Sequence, residues 1–146
     1  AITIDTAAPA ESLAITAIAT DGGSSSYDFI TSDTTLTASG SNGALAAGDK
    51  IQVSSDGGTT WTDVVQNTAT SWSLVDATTH GASFTYQARI VDTAGNVGTS
   101  ASQAITIDTT APAVAITSLG GSVKGLVPEI VNQKLMEKYS SKRGIV

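Results

Sequence analysis

The sequence contains no cysteine, which removes disulfide staples, thiolate zinc sites and cysteine nucleophiles. It also lacks any apolar run of the ~18 residues a membrane-spanning helix requires. Aromatic residues are only 5% of the chain, and polar β-formers with few long side chains suit short strands and tight loops. Basic residues are scarce and unevenly placed. Residues 1–120 hold eleven acids against Lys50 and Arg89, a net of −9. Residues 121–146 hold Lys124, Lys134, Lys138, Lys142 and Arg143 against Glu129 and Glu137, a net of +3. A body this acidic repels phosphate and is not expected to bind nucleic acid.

What is abundant is Thr, Ser, Ala, Gly and Asp, a composition suited to short strands and tight turns. The 146 residues suffice for one ordinary domain. Such a domain buries about two-thirds of its unfolded surface, so it needs no metal merely to fold.

An internal echo organises the chain. AITIDTAAPA at 1–10 returns as AITIDTTAPA at 104–113, nine matches in ten, with a period of 103 residues. A fixed period is the mark of an array, and this one equals a whole small domain. Ile-Thr-Ile alternates as a last strand, and Ala-Pro then stiffens a linker, because proline fixes φ. Residues 1–8 are therefore expected to end a preceding repeat and 9–108 to form one complete repeat. Residues 109–120 would link to the next repeat and open it, the whole piece being cut from a longer chain.

Within the repeat, strand signals recur at short spacing. Leu13, Ile15 and Ala17 alternate first, and Leu36 with Ala38 follows. Ile51 and Val53 come next, and Trp61 with Val64 lies on the return strand after Ser55-Asp56-Gly57-Gly58. Trp72 and Leu74 alternate again, Phe84, Tyr86, Ala88 and Ile90 alternate most clearly, and Ile105 with Ile107 closes the set. About seven strands with no helical period predict an all-β, immunoglobulin-like antiparallel sandwich, with both tryptophans in its core.

The strings TSDTTLTASG, SSDGGTTWT, SWSLVD, IVDTAGNVG and ITIDTTAP, in this order and spacing, resemble the bacterial immunoglobulin-like (Big) repeats of large secreted biofilm adhesins of the RTX type. The likeness covers about residues 1–120. It implies a stalk repeat of a surface adhesin, exported by type I secretion and stiffened by calcium between repeats. The partners would then be neighbouring repeats of the same chain.

Calcium takes several hard oxygen ligands, which loops supply. In a sandwich, the hairpin turn carrying Asp92 and Asn96 lies at the end where the chain enters, beside linker Asp5. Asp108 leaves at the opposite end, near the loop that carries Asp21, Asp28 and Asp33. Each junction thus brings carboxylates together, and Asp5, Asp92 and Asp108 match family positions that serve this way. Against this stands the turn chemistry of Asp and Asn, which cap local backbone and tolerate left-handed φ without any metal.

Ser54 to Trp61 fits the S-x-D-x-G-x-T-W pattern of Asp-boxes. That turn is expected to be structural, with Asp capping it, Gly supplying positive φ and Trp packing inward. Catalysis is poorly supplied. The single histidine, His80, sits in a loop and is expected to face solvent, and no G-x-S-x-G elbow surrounds a serine. The chain is therefore not read as an enzyme. Lys50 reads as a solvated strand start rather than part of an isopeptide triad.

From Gly120 the grammar changes. Val127, Ile130, Val131, Leu135 and Tyr139 fall on one side of a predicted helix with Pro128 at its first turn. This tail, 121–146, matches nothing in the repeat pattern. It is an appended segment or scar, a helix that docks on a partner protein or neighbouring chain, or a weak membrane-surface helix. A filament or phage-surface assembly module would use it, and a domain that binds a glycan or cell surface is the other alternative to a stalk spacer.

Overall fold

Short alternating runs of small and branched residues bury one face each, and two such sheets close on one another. The computed structural model describes residues 1–116, and one unit spans Ala1–Thr110. The first sheet contains β1 (Leu13–Ala19), β3 (Thr37–Asn42), β6 (Val65–Thr68) and β7 (Ser71–Val75), in the order β1-β3-β7-β6. The second contains β2 (Ile30–Thr31), β4 (Lys50–Ser54), β5 (Thr62–Asp63), β8 (Phe84–Val91) and β9 (Val97–Ile107), in the order β2-β9-β8-β4-β5. All pairings are antiparallel except the short β2–β9 pair. This is the expected immunoglobulin-like sandwich. The predicted helical tail lies outside the described residues.

The core draws on both inner faces. Ile15, Ile18, Ala38, Trp72 and Leu74 come from the first sheet, and Ile51, Val53, Tyr86, Ala88, Ile90 and Ile105 from the second. Trp72 is the largest fully buried side chain. It fits because Gly40 stands opposite it across the β3–β7 ladder, where a methyl group would collide with the indole ring and the Ala14 carbonyl.

Two details depart from the predicted pattern. β1 does not alternate through Ala17. Its pairing with β3 shifts register between Ile15 and Ala17, and Ile18 is buried in place of Ala17. A bulge of this kind flips the inward parity within one strand. The return strand also splits at Val64. β5 pairs with β4 in the second sheet, and β6 pairs with β7 in the first. One predicted strand thus changes sheets, and Val64 packs against the core at the crossing.

Candidate functional site

At the entry end, the β8–β9 hairpin turn holds the N-terminal segment Asp5–Pro9, the stretch expected to be a linker. Asp92 organises the turn: its Oδ1 accepts the Ala94 and Asn96 amides at 2.9 and 2.8 Å, and Oδ2 accepts the Asn96 side chain at 2.9 Å. Gly95 supplies a φ of 90°, which the turn requires. Asn96 Nδ2 also reaches the linker, donating to the Asp5 carbonyl at 3.0 Å and the Ala7 carbonyl at 3.4 Å. The Thr99 amide donates to the Pro9 carbonyl at 3.2 Å. Gly98 lies flat beneath that carbonyl, where a methyl group would collide with Pro9. Asp5 and Asn96 are therefore brought together as the topology predicts, through the Asp5 backbone; the Asp5 carboxylate caps the Ala7 amide at 3.0 Å.

Charge accumulates at this end beyond the expected residues. The Asp49 carboxyl is pushed up by burial and by the negative charges of Glu11, Asp92 and Asp5. Glu11 Oε1 is enclosed and has no hydrogen-bond partner among the described residues. Asp92 is held below the ordinary carboxylate range, chiefly by the Asn96 side chain, with the turn amides outweighing burial. Glu11 and Asp49 were not picked out from sequence. Their signal was position: both flank strands that end beside the linker.

At the exit end, the β1–β3 connection clamps the last strand. The Thr106 amide donates to Phe29 O and the Asp108 amide to Thr31 O, both at 2.9 Å. This sets Asp108 beside the loop of Asp21, Asp28 and Asp33, as predicted. Each of the four carboxylates caps a local amide: Asp21 that of Phe29, Asp28 that of Ile30, Asp33 that of Thr35 and Asp108 that of Thr110, all at 2.9–3.1 Å. The Asp21 cap holds Phe29 at a left-handed φ of 60°. Its other oxygen, Oδ1, is enclosed without a partner among the described residues. Among the described residues, no three acidic or histidine side chains stand close enough to hold a metal ion. A cation at either end would need ligands from a neighbouring repeat or from backbone carbonyls. The enclosed, unpaired oxygens of Glu11 and Asp21 and the mutual repulsion at Asp49 are what such a cation would relieve.

The Ser54–Trp61 turn is a compact cap. Asp56 Oδ1 accepts the Thr59 and Thr60 amides at 3.0 and 2.9 Å and the Ser54 hydroxyl at 2.7 Å, and Oδ2 accepts the Thr60 hydroxyl. These bonds, led by the Thr60 hydroxyl, lower the Asp56 carboxyl to about 2. Gly57 and Gly58 supply φ values of 76° and 87°. The expectation for Trp61 is corrected. It is not in the core but lies half-buried on the outer face of the second sheet, its Nε1 donating to the Gly58 carbonyl at 3.0 Å and its ring 4.0 Å from the Arg89 guanidinium carbon. The reason is parity: Trp61 and Val64 are three residues apart, so a period of two sends them to opposite faces.

His80 is corrected as well. It is buried rather than solvent-facing, and its Nε2 lies 2.7 Å from Asp76 Oδ2. The Tyr86 hydroxyl donates to that same oxygen at 2.7 Å, and the Thr78 amide to Asp76 Oδ1 at 2.8 Å. Burial would raise the Asp76 carboxyl, but these bonds outweigh it and hold it low. Burial pushes the Tyr86 phenol up, and the Asp76 carboxylate adds to the rise. The imidazole stacks on Phe84 at 3.6 Å, and the His80 amide donates to Thr34 O at 2.8 Å. The trio pins the β7–β8 crossover to the core. A cavity of about 110 Å³ adjoins it, lined by Asp76, Thr78 and Tyr86 together with Ser55 and Thr60. Lys50 is exposed, as expected, and pairs with Asp63 at 3.2 Å.

The tail residues Val127, Ile130, Val131, Leu135 and Tyr139 lie outside the described residues. No helix among the described residues is long and apolar enough to cross a membrane.

A search of the curated proteins finds no match. The family model described as the bacterial Ig-like domain matches residues 7–109, about seven-tenths of the chain. Its limits coincide with the captured linker at one end and the clamped end of β9 at the other, and the chain belongs to the bacterial Ig-like domain family.

Proposed function

We propose that this chain is a spacer repeat in the stalk of a bacterial cell-surface adhesin, holding a distal binding region away from the cell at a fixed inter-repeat angle. The family is one of surface-protein structural repeats, which supports the coarser part of the reading. The observation that carries the finer part is the docking of linker residues Asp5–Pro9 on Asn96, Gly98 and Thr99. A linker fixed to the domain it enters transmits orientation, whereas a free one would not. Nearly the same sequence recurs at Asp108–Pro112, with Thr110 in place of Ala7, so each repeat would hand the next an equivalent segment to hold.

Calcium is the proposed stiffener. Asp5, Glu11, Asp49 and Asp92 at entry, and Asp21, Asp28, Asp33 and Asp108 at exit, are the acids available to it, with Asn96 and linker carbonyls as neutral oxygens. The ion would neutralise carboxylates that otherwise repel and would tie the linker to both neighbours. In this reading the protein is secreted, its partners are adjacent repeats, and no catalytic step is involved.

The test is thermal melting of residues 1–120 and of a two-repeat version, each with calcium and with chelator. The two-repeat chain should melt higher with calcium, and Asp5→Ala, Asp49→Ala or Asp92→Ala should remove the gain. Equal melting with calcium and chelator would leave these acids as turn residues only.

A further inference from the structure

The outer face of the second sheet holds a feature that spacing does not require. Arg89 points outward from β8, directly between Gln52 on β4 and Ser100 on β9. Its Nε and Nη2 both donate to Gln52 Oε1, at 3.1 and 2.9 Å. Gln52 is itself fixed, its amide donating to Asp63 Oδ1 at 2.9 Å while Lys50 holds the other oxygen of that carboxylate. Trp61 covers the guanidinium from above. The side chain is therefore locked by one edge and one face.

Its charge is left over. Of the two basic residues in the acidic body, Lys50 is matched by Asp63, while Arg89 has no carboxylate partner among the described residues. A guanidinium carries five N–H donors, of which the bonds to Gln52 use two. Beside it a trough of about 460 Å³ runs along β9, lined by Trp61, Gln87, Arg89, Val97, Ser100 and Ser102. The walls are an indole, an amide and a guanidinium, and the β9 side carries Val97, Ala101 and two serines, which leaves room for a pyranose ring.

We propose that this trough binds an acidic saccharide. The acidic body repels a long polyanion over its whole surface, but a single carboxylate in direct contact with Arg89 is held by a local pair while the more distant charges are screened by salt. The carboxylate of the sugar takes the free donors of Arg89, an arrangement that favours planar, charge-assisted pairing. The ring lies beside Trp61, and its hydroxyls meet Gln87, Ser100 and Ser102. On the face itself β8 is paired on both sides, with β4 and with β9, so the groups that surround Arg89 are side chains. A peptide would have to add at the outer edge of β9, which β2 covers only at Thr106 and Ile107, away from the guanidinium. The inference rests on the trough and not on the spacer reading, since a repeat can both space and bind.

The test is an NMR titration of the full 146-residue chain, following the Trp61 indole N–H and Arg89 Nε–H. The probes are tetragalacturonate and sialyllactose, each with its neutral counterpart, and tetraglutamate. Either acidic sugar should shift both signals, and whichever does so names the source. Its neutral counterpart should bind at least about tenfold more weakly, the loss expected for one charge-assisted pair. Arg89→Gln should remove binding. Ser100→Glu, at an exposed position facing Arg89, should do the same by supplying an internal carboxylate while the melting temperature is kept. Absence of shifts with both acidic sugars would overturn the proposal, as would equal binding of the neutral ones. Equal binding of tetraglutamate would also overturn it, reducing the site to a general anion contact.

Discussion

Residues 1–10 and 104–113 are nearly the same sequence in two different states. Ile105 is 1% exposed in β9, while Ile2, its counterpart, is 89% exposed and belongs to no strand. Ile4 is 80% exposed, whereas Ile107 packs against the core. Alternation and β-propensity are equal in the two copies, so they do not decide the outcome. The difference is the partner: β9 lies against β8 along most of its length, from Phe84↔Ile105 to Val91↔Val97, and Ala1–Asp5 has no such neighbour among the described residues. Strand formation here is a tertiary event, driven by the apolar face that pairing buries. The linker that follows is likewise held only where something receives it, and Asn96 and Gly98 are that receiver.

The comparison is broken most strongly at the isoleucines. Ile105→Ala should cost about 2–5 kcal/mol by urea denaturation, through lost burial and the cavity left behind. Ile2→Ala should stay within about 0.5 kcal/mol in the single repeat, as exposed positions do. Placing a second copy of the repeat before residue 1 should raise the Ile2 cost towards that of Ile105.

A middling effect is expected at Gly98→Ala, which sets a methyl group against the Pro9 carbonyl. The linker should detach at a cost of about 1–3 kcal/mol, seen as faster proteolysis between Thr6 and Ala10 with the sandwich intact. Asn96→Ala removes two linker hydrogen bonds and should cost about 1 kcal/mol, with amide exchange rising at the hairpin turn.

The smallest effect is the pH response of the turns. Asp92 and Asp56 are both held below their ordinary value in the folded chain, so they bind fewer protons folded than unfolded. Their contribution is present above about pH 4 and is lost as pH falls towards about 2, the level of Asp56. Acid titration of melting temperature should show this decline, and Asp56→Asn should flatten part of it.

Much of this was legible in the sequence. Clean alternation located the long strands, and the 103-residue echo picked out the segment Asp5–Pro9 that docks on the β8–β9 hairpin. The topology of a sandwich then placed Asp5 by Asn96 and Asp108 by the Asp21–Asp33 loop. What was missed has identifiable causes. The bulge in β1 and the sheet change at Val64 arise from fitting two curved sheets together, which a period of two cannot report. Parity shows only that Trp61 and Val64 cannot both face the core, and the sheet change that turns Val64 inward decides which one does. His80 was hidden because its partners are distant in kind: Asp76 follows the end of β7, and Tyr86 sits on an inward position of β8. An inward tyrosine needs a partner for its hydroxyl, and that was the available signal.

A fixed angle between repeats is best checked by residual dipolar couplings on a tandem two-repeat chain. With calcium both repeats should report one alignment tensor, and Gly98→Ala or chelator should separate them. Two independent tensors for the unmodified tandem in calcium would contradict it, leaving a string of Ig-like domains on free linkers.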